Sequence, residues 1–297
     1  MMRLPFIIFF VGAVQLIAGA QQRVVIIGLD GYSSEGFKKI SHPNLDRLLS
    51  EGTYTLTNRP VMPSVTLPNW TSHLSGAGPE EHGVTGNDWT LQKHALEPID
   101  KDEEGYFPSI FKLLKEKKPN AKIGYYYNWA ALINSINKKY LDEAVFGEHE
   151  DYDSNYLRAA EFIIKNKKDP TLVFLYSVHT DHAGHQYGWM SPEYVKAIEA
   201  ADVVLGRLID KLKSEQLYQG THFIFITDHG GVNKGHGGVS MLEMETPWGI
   251  AGPKVKRQGL QHFYSSNRNT SLAIARIFGL KNLPQSWTGQ LPAGVFK

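Results

Sequence analysis

Three apolar runs, each followed within five residues by an aspartate, constrain the fold of this 297-residue chain most strongly. The runs are residues 23–29 before Asp30, residues 172–176 before Asp181, and residues 223–227 before Asp228. Runs of this length and composition predict buried strands. The functional residues of an open parallel sheet collect beyond the carboxyl ends of its strands, so we expect the three aspartates to meet at one edge.

The segments between these runs alternate between helix and strand. Residues 122–127 predict a further strand, and residues 154–166 and 192–215 predict helices. A helix is also expected from Ser109 to Pro119, with its lysines on a solvated face. Such alternation implies right-handed crossovers and a mostly parallel α/β sheet covered on both faces. We expect residues 21–297 to form one domain, in which residues 88–107 are a small excursion over the site.

Seven residues near these strand ends have the side chains that a two-metal site needs. They are Asp30, Thr66, Asp181, His185, Asp228, His229 and His236. Carboxylates and neutral imidazoles suit two divalent ions, most simply Zn²⁺. Two ions roughly 3.5–4 Å apart can stabilise the attacking and leaving oxygens of a phosphoryl transfer, and one of them can activate the Thr66 hydroxyl as nucleophile.

Each of these motifs alone has a simpler interpretation. An aspartate four residues before a histidine is usually a solvated pair, and Asp-His-Gly after a strand is a common turn. Their joint occurrence, in this order and after three predicted strands, favours the metal site. The neighbouring His73, His179 and His182 are expected to support the ligands rather than bind metal.

Five short motifs carry a family resemblance. They are Gly28-Leu29-Asp30-Gly31, Thr66-Leu67-Pro68-Asn69, Thr180-Asp181-His182-Ala183-Gly184-His185, Thr227-Asp228-His229-Gly230 and Gly235-His236-Gly237-Gly238. Together they resemble the type I phosphodiesterase/nucleotide pyrophosphatase group of the alkaline phosphatase superfamily. The resemblance implies an alkaline phosphatase-like three-layer α/β/α sandwich. It also implies that one ion is held by Asp30, Thr66, Asp228 and His229, and the other by Asp181, His185 and His236.

The same resemblance suggests how the phosphoryl group is held. Asn87, in the motif His82-Gly83-Val84-Thr85-Gly86-Asn87, matches an asparagine that binds a non-bridging oxygen, and the backbone N–H after Thr66 is its expected partner. The chain differs from nucleotide-specific members, which have an aromatic residue where it has Leu67. The short spacing from His229 to His236 is similar to small bacterial members and phosphoethanolamine transferases.

The charges around the nucleophile favour a diester substrate. No Lys or Arg occurs in residues 61–89, whereas a monoester dianion needs additional positive charge. Lys234 is the candidate for that charge, and Trp89 is a candidate pocket residue. The open alternatives are a phosphomonoesterase, a phosphoethanolamine-type phosphotransferase, and a non-catalytic, exported, metal-stabilised binding protein. With 31 basic and 30 acidic residues, the chain gives no indication of a nucleic-acid-binding patch, so we expect a small-molecule phosphate ester as partner.

The amino terminus predicts export. Arg3, an apolar run over residues 4–17 and Ala18-Gly19-Ala20 are typical of a signal peptide over residues 1–20. No later run is long enough to span a membrane. The absence of cysteine and the sequon Asn69-Trp70-Thr71 beside the nucleophile favour a bacterial periplasmic, cell-surface or secreted protein. The oligomeric state is left open.

Overall fold

A computed structural model describes residues 22–297, so the predicted signal peptide lies outside the described residues. Within this range, eight strands form a single sheet. The strands are β1 (Arg23–Leu29), β2 (Gly52–Asn58), β3 (Lys122–Tyr127), β4 (Glu143–Phe146), β5 (Thr171–Ser177), β6 (Thr221–Ile226), β7 (Thr246–Ala251) and β8 (Gly259–Leu260). None of the helices between residues 22 and 297 combines the length and the apolar character that crossing a membrane requires.

The sheet is mostly parallel, with β1 in its interior. The strand order is β4-β3-β5-β1-β6-β7-β2-β8. Strand β1 pairs in parallel with β5 and β6, and only β7 runs against its neighbours. The carboxyl ends of β5, β1 and β6 therefore lie side by side, which places the residues that follow them at one edge.

Ten α-helices lie between the strands or, in the case of the last one, after them in the described range. They are α1 (Ser34–Lys39), α2 (Pro43–Ser50), α3 (Thr66–Ser75), α4 (Pro79–His82), α5 (Ile110–Lys117), α6 (Tyr152–Lys165), α7 (His179–Tyr187), α8 (Pro192–Ser214), α9 (Met241–Met244) and α10 (Thr270–Phe278). Short 3-10 helices occur at Ala130–Ser135, Lys138–Tyr140, Glu148–Glu150, Tyr218–Gly220 and Asn267–Asn269.

Alternate residues of β1 face two separate apolar cores. Val24 and Ile26 pack into a core with residues of α3, α5 and α10. Val25 and Ile27 pack into a core with residues of α2, α6 and α8. A strand buried on both faces has no polar alternation, which explains the unbroken apolar run in its sequence. The expected three-layer α/β/α sandwich is confirmed.

The expected elements are present with small shifts in their bounds. Helix α6 begins at Tyr152 rather than residue 154, because the side chain of Asp151 caps it by accepting from the Ser154 N–H at 3.0 Å. Asp181 does not lie in the turn after β5 but in the first turn of α7. Residues 88–107 contain neither an α-helix nor a strand of the sheet.

Candidate metal centre

The candidate ligands lie where three adjacent parallel strands end. Asp30 directly follows β1, and Asp228 comes two residues after the end of β6. Helix α7 begins two residues after β5 and carries Asp181 and His185 one turn apart on one side. The sequence positions that predicted convergence are thus brought together by strand pairing.

Asp30 is fully buried, and only one of its oxygens is engaged by the protein. Its Oδ2 accepts a hydrogen bond of 2.5 Å from the Tyr176 hydroxyl and one of 3.2 Å from Trp70 Nε1. Its Oδ1 has no hydrogen-bond partner among the described residues. The side chain is therefore held in one orientation with one free oxygen.

His229 connects the proposed nucleophile to two carboxylates. Its Nε2 lies 3.1 Å from Asp228 Oδ2, 3.5 Å from Asp30 Oδ1 and 3.4 Å from Thr66 Oγ1. Its Nδ1 donates to the carbonyl of Gly230 at 2.9 Å, which leaves Nε2 with a lone pair. The other oxygen of Asp228, Oδ1, accepts from the Gly31 N–H at 3.0 Å. These contacts bring together the four residues that the family resemblance assigned to one ion.

A second group comprises Asp181, His185 and His236, whose ligand atoms all lie within 4.8 Å of one another. His185 Nδ1 donates to the Lys234 carbonyl, and His236 Nδ1 donates to the Ser64 carbonyl, each at 2.9 Å. Both rings therefore keep an Nε2 lone pair for a metal. Asp181 also belongs to a set with Asp30 and His229 whose ligand atoms lie within 4.8 Å of one another, so the two groups are contiguous.

The short connection between the two groups is a tight hairpin. Val232 and Gly235 exchange backbone hydrogen bonds of 2.9 and 3.0 Å. At its tip, the Asn233 carbonyl accepts from the Trp189 N–H at 2.8 Å, and the Lys234 carbonyl accepts from His185. The hairpin thus orients a histidine that lies 49 residues earlier in the sequence.

The protonation energetics of these residues fit bound cations. Burial raises the pKa of Asp30 to about 6. Burial, with the charge of Asp30, raises the pKa values of Asp181 and Asp228 well above their usual range. Burial keeps the His229 pKa well below its usual range. Three buried carboxylate oxygens, Asp30 Oδ1, Asp181 Oδ1 and Asp228 Oδ2, have no partner among the described residues, which is costly unless cations bind there.

Thr66 is the first residue of α3, where backbone N–H groups and the helix dipole favour an anion. Its side chain is buried apart from a 5% exposed fraction. The next N–H, from Leu67, was expected to bind a phosphoryl oxygen; in the structure it donates to Asn87 Oδ1 at 2.8 Å. This bond turns the Asn87 amide so that Nδ2 is the donor available to a substrate.

A cleft of about 190 Å³ opens onto these groups. It is lined by Asp30, Thr66, Asn87, Trp129, Tyr176, Val178, Asp181, His182, His185 and His236. Trp89 is not among the lining residues, because it is buried against Leu67 and Val84. Lys234 is also absent from the lining, and its Nζ donates to the Gln186 carbonyl at 2.8 Å.

Sequence reasoning assigned no role to three residues of this site. Trp70 and Tyr176 bind Asp30, and Trp129 forms part of the cleft wall together with His182, which was expected to support the ligands. The available signal was position, because Tyr176 lies one residue before the end of β5, the strand beside β1. An aromatic residue in a buried strand nevertheless resembles an ordinary core residue until its hydroxyl is located.

Comparisons with known proteins identify the family of this chain. The family model described as Type I phosphodiesterase / nucleotide pyrophosphatase matches residues 24–244. Human ectonucleotide pyrophosphatase/phosphodiesterase family member 1 is 29% identical over 214 residues, which are 69% of this chain and 23% of that protein. An uncharacterised pyrophosphatase/phosphodiesterase of Schizosaccharomyces pombe is 26% identical over 222 residues, which are 71% of this chain and 45% of that protein.

A solved structure supports the fold. Murine ectonucleotide pyrophosphatase/phosphodiesterase 5, an inactive threonine-to-alanine variant in complex with AMP, superposes with a TM-score of 0.74 at 16% identity. The match covers 89% of this chain and 96% of the murine chain. The present chain spans less than half the length of the two curated relatives above. Because the family model covers most of its residues, the chain belongs to the type I phosphodiesterase/nucleotide pyrophosphatase family.

Proposed function

We propose that this protein hydrolyses phosphodiesters, with Thr66 as the nucleophile and two divalent ions, most simply zinc, as cofactors. The observation that carries the proposal is the position of Thr66 Oγ1, which lies 3.4 Å from His229 Nε2 at the amino terminus of α3. Thr66 lines the cleft together with Asp30 and Asp181, each of which has a carboxylate oxygen without a partner among the described residues.

The residues present fit two ions. We assign Asp30, Thr66, Asp228 and His229 to one ion and Asp181, His185 and His236 to the other. Mixed carboxylate and imidazole sets of this kind suit zinc. Two ions would supply the positive charge that activates the nucleophile and stabilises the leaving oxygen.

The protein's own groups have defined roles in the proposed reaction. Thr66 Oγ attacks phosphorus, an Oγ–P bond forms, and the bond from phosphorus to the first alcohol breaks. Water then cleaves the Oγ–P bond and regenerates the Thr66 hydroxyl. Asn87 Nδ2 donates to a non-bridging oxygen as its charge increases. The murine relative named above is inactive as a threonine-to-alanine variant, which supports a threonine in the nucleophile's role.

The lining of the cleft favours a diester over a monoester. Among residues 22–297, no Lys or Arg side chain lines it, while Asp30 and Asp181 do. A monoester dianion carries one more negative charge than a diester and finds no fixed cation beyond the two ions. The proposal therefore assigns the diester monoanion as the preferred substrate.

Replacement of Thr66 tests the proposed function. With bis(p-nitrophenyl) phosphate as substrate, we expect Thr66→Ala to lower kcat by about 10³-fold or more, whereas Thr66→Ser retains most of the activity. Thr57→Ala, in β2 and outside the cleft lining, is the matched control. Brief reaction followed by acid quenching and mass spectrometry should detect a phosphorylated Thr66. Near-wild-type turnover by Thr66→Ala would assign the attack to water and overturn the nucleophile assignment.

We also propose that residues 1–20 are removed on export and that residues 21–297 act as one catalytic domain in a bacterial periplasm, at the cell surface or outside the cell. The burial of Asn69 is consistent with this, since its amide donates to the carbonyls of Val61, Pro63 and Val65 and has no space for a glycan. Amino-terminal sequencing of protein recovered from the periplasm or medium should begin at Gln21. Recovery only from the cytosol, with residues 1–20 intact, would contradict export.

A further inference from the structure

Two residues outside both ligand groups form a close pair at the mouth of the cleft. His182 Nδ1 lies 2.5 Å from Glu150 Oε1. The His182 side chain is 46% exposed and lines the cleft together with Asn87 and Trp129. The pair therefore lies where the organic part of a substrate would extend from the phosphoryl group.

The contact with Glu150 fixes the orientation of the His182 ring. An ionised carboxylate only accepts hydrogen bonds, so Nδ1 carries the proton and donates it to Glu150. The other ring nitrogen, Nε2, is then the polar atom of His182 that remains for a ligand. A substrate hydroxyl can pair with this atom in either protonation state of the ring, because a hydroxyl both donates and accepts.

The backbone that carries Glu150 is held in an unfavourable conformation. His149 and Glu150 have φ angles of 53° and 61°, a left-handed region that costs free energy for residues other than glycine. Asn128 stabilises this turn, because its Nδ2 donates to the Glu150 carbonyl at 3.1 Å. Its Oδ1 accepts from the Val178 N–H at 2.9 Å. Val178 immediately precedes α7, so a single asparagine connects the Glu150 turn to the helix that carries His182.

Trp129, next to Asn128 in the sequence, gives the same wall a planar apolar surface. Its side chain is half-buried. It packs against the core formed with residues of α3, α5 and α10, and against the small cluster around Leu67. A ring supported in this way has little freedom to move. The wall thus combines a fixed apolar face with one oriented ring nitrogen.

We propose that the Glu150–His182 pair selects phosphodiesters whose retained alcohol carries a hydroxyl group, such as a polyol or sugar ester. This inference rests on the proposed function. His182 Nε2 makes the hydrogen bond to that hydroxyl, the carbon skeleton lies against Trp129, and Glu150 is a positioning residue that acts through His182. The substrate class is therefore a diester with a hydroxylated organic substituent.

Two synthetic diesters with the same leaving group test the inference. They are 4-hydroxybutyl p-nitrophenyl phosphate, whose hydroxyl is too distant to displace p-nitrophenolate readily by ring closure, and butyl p-nitrophenyl phosphate. The readout is the ratio of their kcat/KM values. We expect the wild-type protein to prefer the hydroxybutyl ester by about 3- to 10-fold, the range of one net hydrogen bond. His182→Ala should bring the ratio close to one, Glu150→Gln should lower it, and His182→Gln should restore part of it.

Glu148→Gln is the matched control, because Glu148 is exposed in the same turn and lies outside the cleft lining. The Glu148→Gln variant should have the same kcat/KM as the wild type for each of the two diesters. A wild-type ratio near one, or a His182→Ala ratio equal to that of the wild type, would overturn the inference and leave the diesterase proposal standing. Turnover of neither ester by the metal-loaded wild-type protein would overturn the proposed function, and this inference with it.

Discussion

The Tyr176 hydroxyl and Asp30 Oδ2 are 2.5 Å apart, and both residues are buried at the ends of paired strands. Trp70 Nε1 adds a second donor to the same oxygen. Burial raises the pKa of Asp30, and these two hydrogen bonds oppose that rise by stabilising the carboxylate. The phenol and the indole thus favour the ionised form of Asp30 and fix its orientation. Its other oxygen, Oδ1, is left for a cation.

Tyr176→Phe is therefore expected to weaken metal binding. The substitution removes one donor to Asp30 without changing the size of the aromatic ring, and loss of such an outer partner commonly costs 10- to 100-fold in affinity. Competition with a fluorescent chelator measures the dissociation constants directly, independently of catalysis. Tyr125→Phe is the control, since Tyr125 is equally buried but its hydroxyl reaches only the Leu132 carbonyl at 3.5 Å. Equal affinities for the two variants would contradict the role of Tyr176.

Metal removal is expected to affect stability as well as activity. The purified protein should contain two equivalents of zinc or a similar ion, and chelation should abolish hydrolysis until metal is added back. Bound ions would compensate the charge of buried carboxylates that have no other partner. A free metal concentration of 100 times the dissociation constant should therefore stabilise the folded state by about 2.7 kcal/mol per site. Elemental analysis and thermal unfolding with and without chelator provide the measurements. Full activity at negligible metal content would refute the site.

Asn87 is expected to contribute mainly to the transition state. Its Oδ1 is engaged by the Leu67 N–H, so Nδ2 is the group that meets a phosphoryl oxygen. Removing one such donor typically lowers kcat by about 10²- to 10³-fold, and we expect this of Asn87→Ala. Asn87→Asp keeps the acceptor for Leu67 but places a negative charge in the cleft, so its loss should be larger. Asp88→Asn, at the exposed neighbouring position, serves as the control.

Lys234 is expected to have no influence on the choice between diesters and monoesters. Its ammonium group is bound to the Gln186 carbonyl and does not line the cleft. The ratio of kcat/KM for bis(p-nitrophenyl) phosphate over p-nitrophenyl phosphate should exceed one and remain unchanged in Lys234→Ala. Each tenfold change corresponds to about 1.4 kcal/mol of transition-state binding. A monoester preference that collapses in this variant would identify Lys234 as a dianion-binding residue and the protein as a phosphatase.

His222 is expected to make folding stability sensitive to acid. Its side chain in β6 is buried, and burial lowers its pKa to about 4, compared with about 6.5 in an unfolded chain. The unfolded state therefore binds the proton more tightly than the folded state. The folded state keeps its full stability above pH 6.5, where His222 is neutral in both states, and loses stability as the pH falls towards 4. Over this interval the free energy of unfolding should fall less in His222→Gln than in the wild type. The difference should be on the order of 3 kcal/mol.

Urea unfolding at pH 7, 5.5 and 4.5 measures this effect. Glutamine can still accept from the Lys254 N–H, as His222 Nε2 does at 3.2 Å. The candidate metal ligands are the same in both proteins, so their contribution cancels in the difference. Parallel stability curves for the two proteins would show that His222 is not responsible.

The central strands were predictable because burial on both faces leaves an unbroken apolar run. This holds for β1, β5 and β6. Strand β7 gave no comparable signal, since its sequence Thr-Pro-Trp-Gly-Ile-Ala contains residues that usually interrupt strands. The strand order also depends on pairings between distant segments, such as β1 with β6, which local periodicity does not encode.

The convergence of the candidate ligands was predictable because such residues are rare at strand ends, whereas the contacts around them were not. Trp70 had no assigned role, yet its ring is buried and its Nε1 donates to Asp30 Oδ2. His182 directly follows the candidate ligand Asp181, yet only the fold shows that Glu150, 32 residues earlier, reaches its ring. Such roles depend on three-dimensional neighbours rather than on residue type.

The hairpin between Val232 and Gly235 has a consequence for anyone who labels or redesigns this protein. Exposed loop tips normally accept tags and insertions. Here the two tip carbonyls are already occupied, one by Trp189 and the other by the imidazole of His185. A fluorophore or peptide inserted at this turn would free that ring and disturb a candidate ligand far away in the sequence. Any longer connection between His229 and His236 must therefore supply its own acceptor for His185.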